Sequence, residues 1–113
     1  MIDSVVISMS KYAQFVRDRI TQLRLRKGIS EYQLSYDLGH SRSYIYNITS
    51  GKSLPPLSEF FVICEYFDIS PSEFFDDTLV HPELIHKAVE GLKDLDDSDV
   101  LMILNFINRL KRA

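Results

Sequence analysis

Residues 28–52 read GISEYQLSYDLGHSRSYIYNITSGK, and the fold is decided by how this stretch breaks into elements. Gly28 stands where an upstream helix must end, because a residue without Cβ can take the left-handed backbone that closes a helix. Ser30, followed three residues later by Gln33, has the capping-box pattern that satisfies free amides at a helix start. Leu34 and Leu38 then form one inward face. After Gly39, Ser41 predicts the cap of a further short helix reaching Ser50, with Ile45 and Ile48 turned inward and Gly51 as its terminal left-handed residue.

Working outward, the pattern stays helical. Upstream, Val16, Ile20 and Leu23 recur at helical spacing along residues 11–27, a single apolar stripe on a basic helix. Residues 1–10 read as an N-terminal arm, with Val5 to Ile7 extended at most. Downstream, Pro55 and Pro56 block continuation, and a core helix from about Leu57 carries Phe60, Phe61, Cys64 and Phe67. Ser70, Pro71, Ser72 and Glu73 combine a capping serine, a proline at the first helical position and a glutamate at the third. Phe74 and Phe75 are expected to seal the bundle. No stretch sustains a period of two, so the chain is predicted to be all-α.

The C-terminal part, residues 77–113, holds two more amphipathic patterns. Leu84, Ile85, Ala88, Val89 and Leu92 follow Pro82. A second helix starts at Asp96 or Asp97 and carries Val100, Leu101, Ile103, Leu104, Ile107 and Leu110, with an acidic first turn and the ending NRLKRA matched to the helix dipole. So broad an apolar stripe predicts a dimerisation hairpin, with Leu101, Leu104, Ile107 and Leu110 as its contacts. The competing expectation is that both helices pack back on the core.

Composition narrows the function classes. The 113 residues are 45% hydrophobic and 26% charged, which describes one small globular domain with a helical appendix. No apolar run approaches the ~18 residues that a membrane span requires, and the opening MIDSVVISMS lacks the basic start and long apolar segment of a secretion signal. With the single cysteine, Cys64, this predicts a cytoplasmic protein without disulfides. His40, His81 and His86 have no metal-ligand company, and no glycine-rich phosphate loop or nucleophile–base combination occurs, so neither metal, cofactor nor enzymatic activity is expected. Cys64, in an apolar helix, is assigned to the core.

The net charge of −3 hides a division. Residues 11–53 hold eight basic against three acidic side chains, a net +5, whereas residues 54–113 hold five against twelve, a net −7. Two short helices joined by a tight turn, the second polar outside and set in the basic half, have the geometry that admits a helix to the DNA major groove.

The stretch ISEYQLSYDLGHSRSYIYNITSGKSLPP, with LRLRKG before it and FFVICEYFDISPSEFFD after it, resembles the phage-repressor and Cro-type (XRE) helix-turn-helix family. The likeness covers residues 15–76 and rests on Leu34, Leu38-Gly39, Ser41, Tyr44-Ile45, Ile48, Gly51-Lys52 and the closing PxxFF-like segment. It implies a five-helix DNA-binding domain over residues 11–76, with its motif at about 30–50, acting as a homodimer on double-stranded DNA. By resemblance, the second motif helix lies in the groove, and its outward positions here are Arg42, Ser43, Tyr46 and Asn47. Arginine can grip guanine through two hydrogen bonds and asparagine can pair with adenine; serine and tyrosine specify less. Ser30, Gln33, Ser41, Ser50 and Lys52 are expected to meet phosphates.

Some positions depart from the family. Ser35 replaces the common alanine, Thr49 a glutamate and Tyr46 a small residue, while Glu31 stands where glutamine is usual and would set a negative charge towards the phosphates. Tyr32, Tyr36, Tyr44 and Tyr46 are expected to form a packed or half-buried face, Tyr44 above all. The sequence is read as a regulator of transcription, a repressor, that binds an inverted-repeat operator as a homodimer. The alternative is an antitoxin-like or adaptor module whose DNA face has weakened.

Overall fold

The computed structural model describes residues 2–112, with side chains described from Lys11 to Arg112. Seven helices succeed one another among the described residues, without strands. They are α1 (Ile2–Lys27), α2 (Glu31–Asp37), α3 (Tyr44–Thr49), α4 (Leu57–Tyr66), α5 (Pro71–Phe75), α6 (Pro82–Lys93) and α7 (Asp97–Arg112).

The expected arm is part of α1, which runs back to Ile2 and, at 26 residues, is ~39 Å long. Among its described side chains, Ile20 and Leu23 enter the core, with Val16 at the edge. The core is completed by Leu34 of α2, Ile45 and Ile48 of α3, Phe60, Ile63 and Cys64 of α4, then Phe67, Ile69 and Phe74. Phe61, predicted to be inside, is exposed, and Ile63 takes the inward place. Phe75 is also half outside, although its ring still lies 5.4 Å from that of Phe60. A five-residue α5 can bury one of two adjacent phenylalanines, and that one is Phe74.

Local start and stop signals account for the boundaries. Gly28 and Gly51 have φ of +74° and +94°, the left-handed backbone that a side chain would strain. Ser70 and Glu73 form the full capping box: Ser70 Oγ accepts from the Glu73 amide and Glu73 Oε1 from the Ser70 amide, at 3.1 and 2.9 Å. Ser30 caps α2 by accepting from the Gln33 amide at 3.0 Å. The reciprocal bond expected of Gln33 is not made, because its side chain donates to Asp37 Oδ1 instead, at 2.6 Å.

The C-terminal helices behave differently from each other. α6 is fastened to the core: Pro82 is buried, Arg26 sits on Glu83 and His81, and His86 Nδ1 lies 2.7 Å from Glu73 Oε1. α7 starts on Asp96, whose Oδ1 accepts from the Asp99 amide at 2.9 Å, and buries none of its residues. Leu101 and Leu110 are each 60% exposed. The radius of gyration, 17.6 Å, exceeds the ~13 Å of a compact chain of this length.

Candidate nucleic-acid interface

α2 and α3 are locked together by a serine. Ser35, wholly buried, donates its hydroxyl to the Glu31 carbonyl at 2.8 Å and accepts from the Ile45 amide at 3.1 Å. A small residue is needed for the close approach, and the hydroxyl satisfies an amide at the start of α3 that would otherwise be buried without a partner. Ser35→Ala is expected to lose about 1 kcal/mol, read as a lower urea midpoint, with the fold retained. An unchanged midpoint would show that the Ile45 amide finds another acceptor.

The far end of α3 is held from α1. Arg17 Nε donates to the Ile48 carbonyl at 2.9 Å and Nη2 to the Gly51 carbonyl at 3.5 Å, so a guanidinium closes the C-terminus of α3. The Asn47 carbonyl then accepts from the amides of Lys52 and Ser53, at 3.0 and 3.1 Å, which shapes the loop after the helix. Glu31, whose charge was expected to face the phosphates, is tied within the motif: its Oε2 accepts from Thr49 Oγ1 at 2.6 Å. Two of the four unusual residues of the motif are thus partners, and the carboxylate braces α2 against α3.

The α3 helix is shorter than predicted. It starts at Tyr44, with Ser43 at the N-cap without a side-chain bond and Ser41 contributing only its carbonyl, to the Tyr44 amide at 3.0 Å. Arg42 and Ser43 are therefore exposed residues of the preceding turn and not of the helix face. Tyr46 and Asn47 do lie on α3, Tyr46 exposed and Asn47 half-buried. Lys52 Nζ sits 5.4 Å from the centroid of the Tyr46 ring, bringing the loop cation over the outer face of α3. Ser50 is the C-cap residue, and Ser30 lies at the start of α2 with its hydroxyl already serving as cap. Of the four tyrosines, only Tyr44 packs as expected. Its ring stacks on His40 with centroids 3.8 Å apart, whereas Tyr32, Tyr36 and Tyr46 are exposed because Leu34, Ser35, Ile45 and Ile48 already fill the inward positions.

The basic half of the chain is also less available than its sum suggests. Arg17 caps α3, Arg24 Nη1 donates to the Ile29 carbonyl at 2.9 Å, and Arg26 pairs with Glu83. Arg19 Nε donates to the Phe74 carbonyl at 2.9 Å, Nη2 to Asp76 at 2.6 Å and Nη1 to Leu79 at 3.0 Å. Lys27 Nζ lies 4.1 Å from the centroid of the Tyr66 ring. Among the described residues, Lys11, Lys27, Arg42 and Lys52 of this half have neither hydrogen bond nor ion pair, and Arg42 and Lys52 flank α3. Behind α2, Tyr66 Oη donates to Asp37 Oδ2 at 2.7 Å. The bond from Tyr66, with that from Gln33, holds the Asp37 carboxyl below its ordinary range, while burial and Asp37 push the Tyr66 phenol up to about 12.

The bracing residues Arg17, Thr49 and the Ser35 hydroxyl escaped sequence reading. Arg17 and Ile48 are 31 positions apart, and no local pattern couples them. The Glu31–Thr49 bond did leave a trace, since both positions stood out as unusual within the motif.

Elsewhere, Cys64 is buried and its thiol is pushed up to about 11 by burial, the state of an inert core residue. No helix among the described residues is long and apolar enough to cross a membrane. A family model described as helix-turn-helix matches residues 20–74. Comparison with curated proteins and with solved structures finds no match.

Proposed function

Since residues 20–74 belong to the XRE-type helix-turn-helix family, a family of DNA-binding regulator domains and not of enzymes, we propose that the protein represses transcription by binding an inverted-repeat operator as a homodimer. The observation that carries this reading is the presentation of α3. Ser35 and Arg17 fix its two ends, Tyr46 is exposed with half-buried Asn47 beside it, and the unpaired cations Arg42 and Lys52 flank it. Arg42, Ser43, Tyr46 and Asn47 are its base-reading residues, Arg42 and Ser43 reaching the base edges from the turn at the N-terminal end of α3. Ser30, Gln33, Ser41, Ser50 and Lys52 hold phosphates and set the register. The protein acts in the cytoplasm, where its operator lies.

Dimerisation is assigned to α7, through Leu101, Leu104, Ile107 and Leu110. All four are exposed in the single chain, and a contiguous apolar stripe of this kind marks an interaction surface. Two reading heads related by a two-fold axis then meet half-sites about 34 Å apart. Because α7 buries none of its residues, Leu104→Glu is expected to yield a folded monomer in sedimentation equilibrium, with operator affinity reduced. A dimer that survives this change would place the interface elsewhere.

Fluorescence titration against operator and random DNA tests the reading as a whole. For Lys52→Ala the expected result is weaker binding to every sequence and a log K against log salt slope shallower by about one unit. An unchanged slope would remove Lys52 from the phosphate contacts. The second reading, a protein-interaction module, draws on exposed Tyr32, Tyr36 and Tyr46 around a motif with few unpaired cations. It requires that DNA titrations show no saturable binding at moderate salt.

A further inference from the structure

A cleft of about 510 Å³ lies between the C-terminal ends of α1 and α4 and the first half of α6. Its apolar lining comes from Leu23, Phe67 and Leu84, one from each helix or its end. Tyr66, Lys27 and Lys87 complete the wall, and the volume falls within the ~300–1,000 Å³ of small-molecule sites. Two carboxylates also line the cleft: Glu83 is paired with Arg26 although neither of its oxygens is hydrogen-bonded among the described residues, and exposed Asp68 lies 3.6 Å from His86. Lys27 and Lys87 have no carboxylate within ion-pair distance among the described residues. An apolar lining beside two such ammonium groups is complementary to a small organic anion with a flat apolar body.

The same cleft is wired to the motif. Lys27 lies on the face of the Tyr66 ring; Tyr66 donates to Asp37 of α2, and Asp37 accepts from Gln33 at the start of that helix. An anion that draws Lys27 off the ring and inserts beside it acts on a chain of contacts that ends at a phosphate-facing side chain. We propose that this cleft is the effector site of the protein, taking an aromatic or similarly flat organic carboxylate, and that its occupancy is transmitted through Tyr66 and Asp37 to α2. The regulatory meaning rests on the DNA-binding reading; the site itself does not.

The test is a titration of the full chain with 2-naphthoate, followed by amide chemical shifts. Uncharged 2-naphthamide and inorganic phosphate serve as comparison ligands. The expected result is saturable binding of one naphthoate per chain, with shifts at the cleft and at Gln33 and Asp37. Lys27→Gln with Lys87→Gln, both at exposed positions, weakens it by about tenfold or more, and loss of either the charge or the apolar body does the same. Tyr66→Phe keeps the binding but loses the shifts at Gln33 and Asp37. Absence of saturation, shifts confined to α7, or a double variant that binds as the parent does would overturn the site. Binding without any change at Gln33 would overturn the transmission. Saturable naphthoate binding by a protein that fails to bind DNA would overturn the repressor reading and leave the site standing.

Discussion

Arg19→Ala is expected to lower the stability by about 3 kcal/mol, which for a chain of this size is a fall in Tm of roughly 10–15 °C. Arg19 is only 6% exposed, and its guanidinium serves three backbone carbonyls, those of Phe74, Asp76 and Leu79, as well as Gln22 Oε1 at 2.7 Å. These carbonyls lie at the end of α5 and in the segment that leads to α6, where the chain has no regular structure to satisfy them. Alanine removes the charged donor and leaves them facing a shell that water enters poorly. Arg19→Lys is expected to recover less than half of the loss, because a single ammonium cannot span three acceptors arranged around a planar fork. Thermal and urea unfolding followed by circular dichroism measure both variants. A loss below about 1 kcal/mol for the alanine variant would mean that the carbonyls are satisfied by solvent and that Arg19 is not the anchor between α1 and the segment leading to α6.

The second large effect is on recognition. Arg42→Ala and Asn47→Ala are each expected to weaken operator binding by about 10- to 100-fold, the 1–3 kcal/mol attached to a good bidentate base contact. Binding to random DNA should fall much less, so the ratio of specific to non-specific affinity is the quantity to measure. Stability should not move with Arg42, which is exposed and has no hydrogen bond or ion pair among the described residues. Asn47→Ala removes a half-buried side chain but not the carbonyl that organises the loop to Ser53. If both variants retain affinity and sequence preference, α3 is not the reading helix. If Arg42→Ala weakens all sequences equally, that residue is a phosphate contact.

Most of the fold was legible because its signals are local. The pair Ser70 and Glu73, the positive-φ glycines Gly28 and Gly51, and the spacing of Ile20, Leu23, Leu34, Ile45 and Ile48 each report within a few residues what the backbone must do. Misreadings occurred where two neighbours competed for one place. Phe61 lost to Ile63, and Phe75 to Phe74, because the direction of a helix relative to its neighbours decides which member of an apolar pair turns inward. At the candidate interface the residues were in view but their setting was not. Arg42 and Ser43 precede α3 where the pattern had put them on it, since the first helical turn is set by the Ser35 bond to the Ile45 amide, ten positions away.

The amino-acid sequence by itself determined that this chain is all-helical and where its helix-turn-helix motif lies. Helix periodicity, caps and glycines act over one or two turns, and a local code can be read locally. Tertiary structure decided how the charge is used. A net +5 counted along residues 11–53 says nothing of partners, and only packing reveals that Arg17 and Arg19 hold backbone carbonyls while Arg26 holds Glu83. Hydrogen bonds formed between residues 31 to 60 positions apart depend on the approach of whole helices. For that reason the cations left for DNA, the bracing of α3 by Glu31 and Thr49, and the exposure of α7 were visible only once the helices had been assembled.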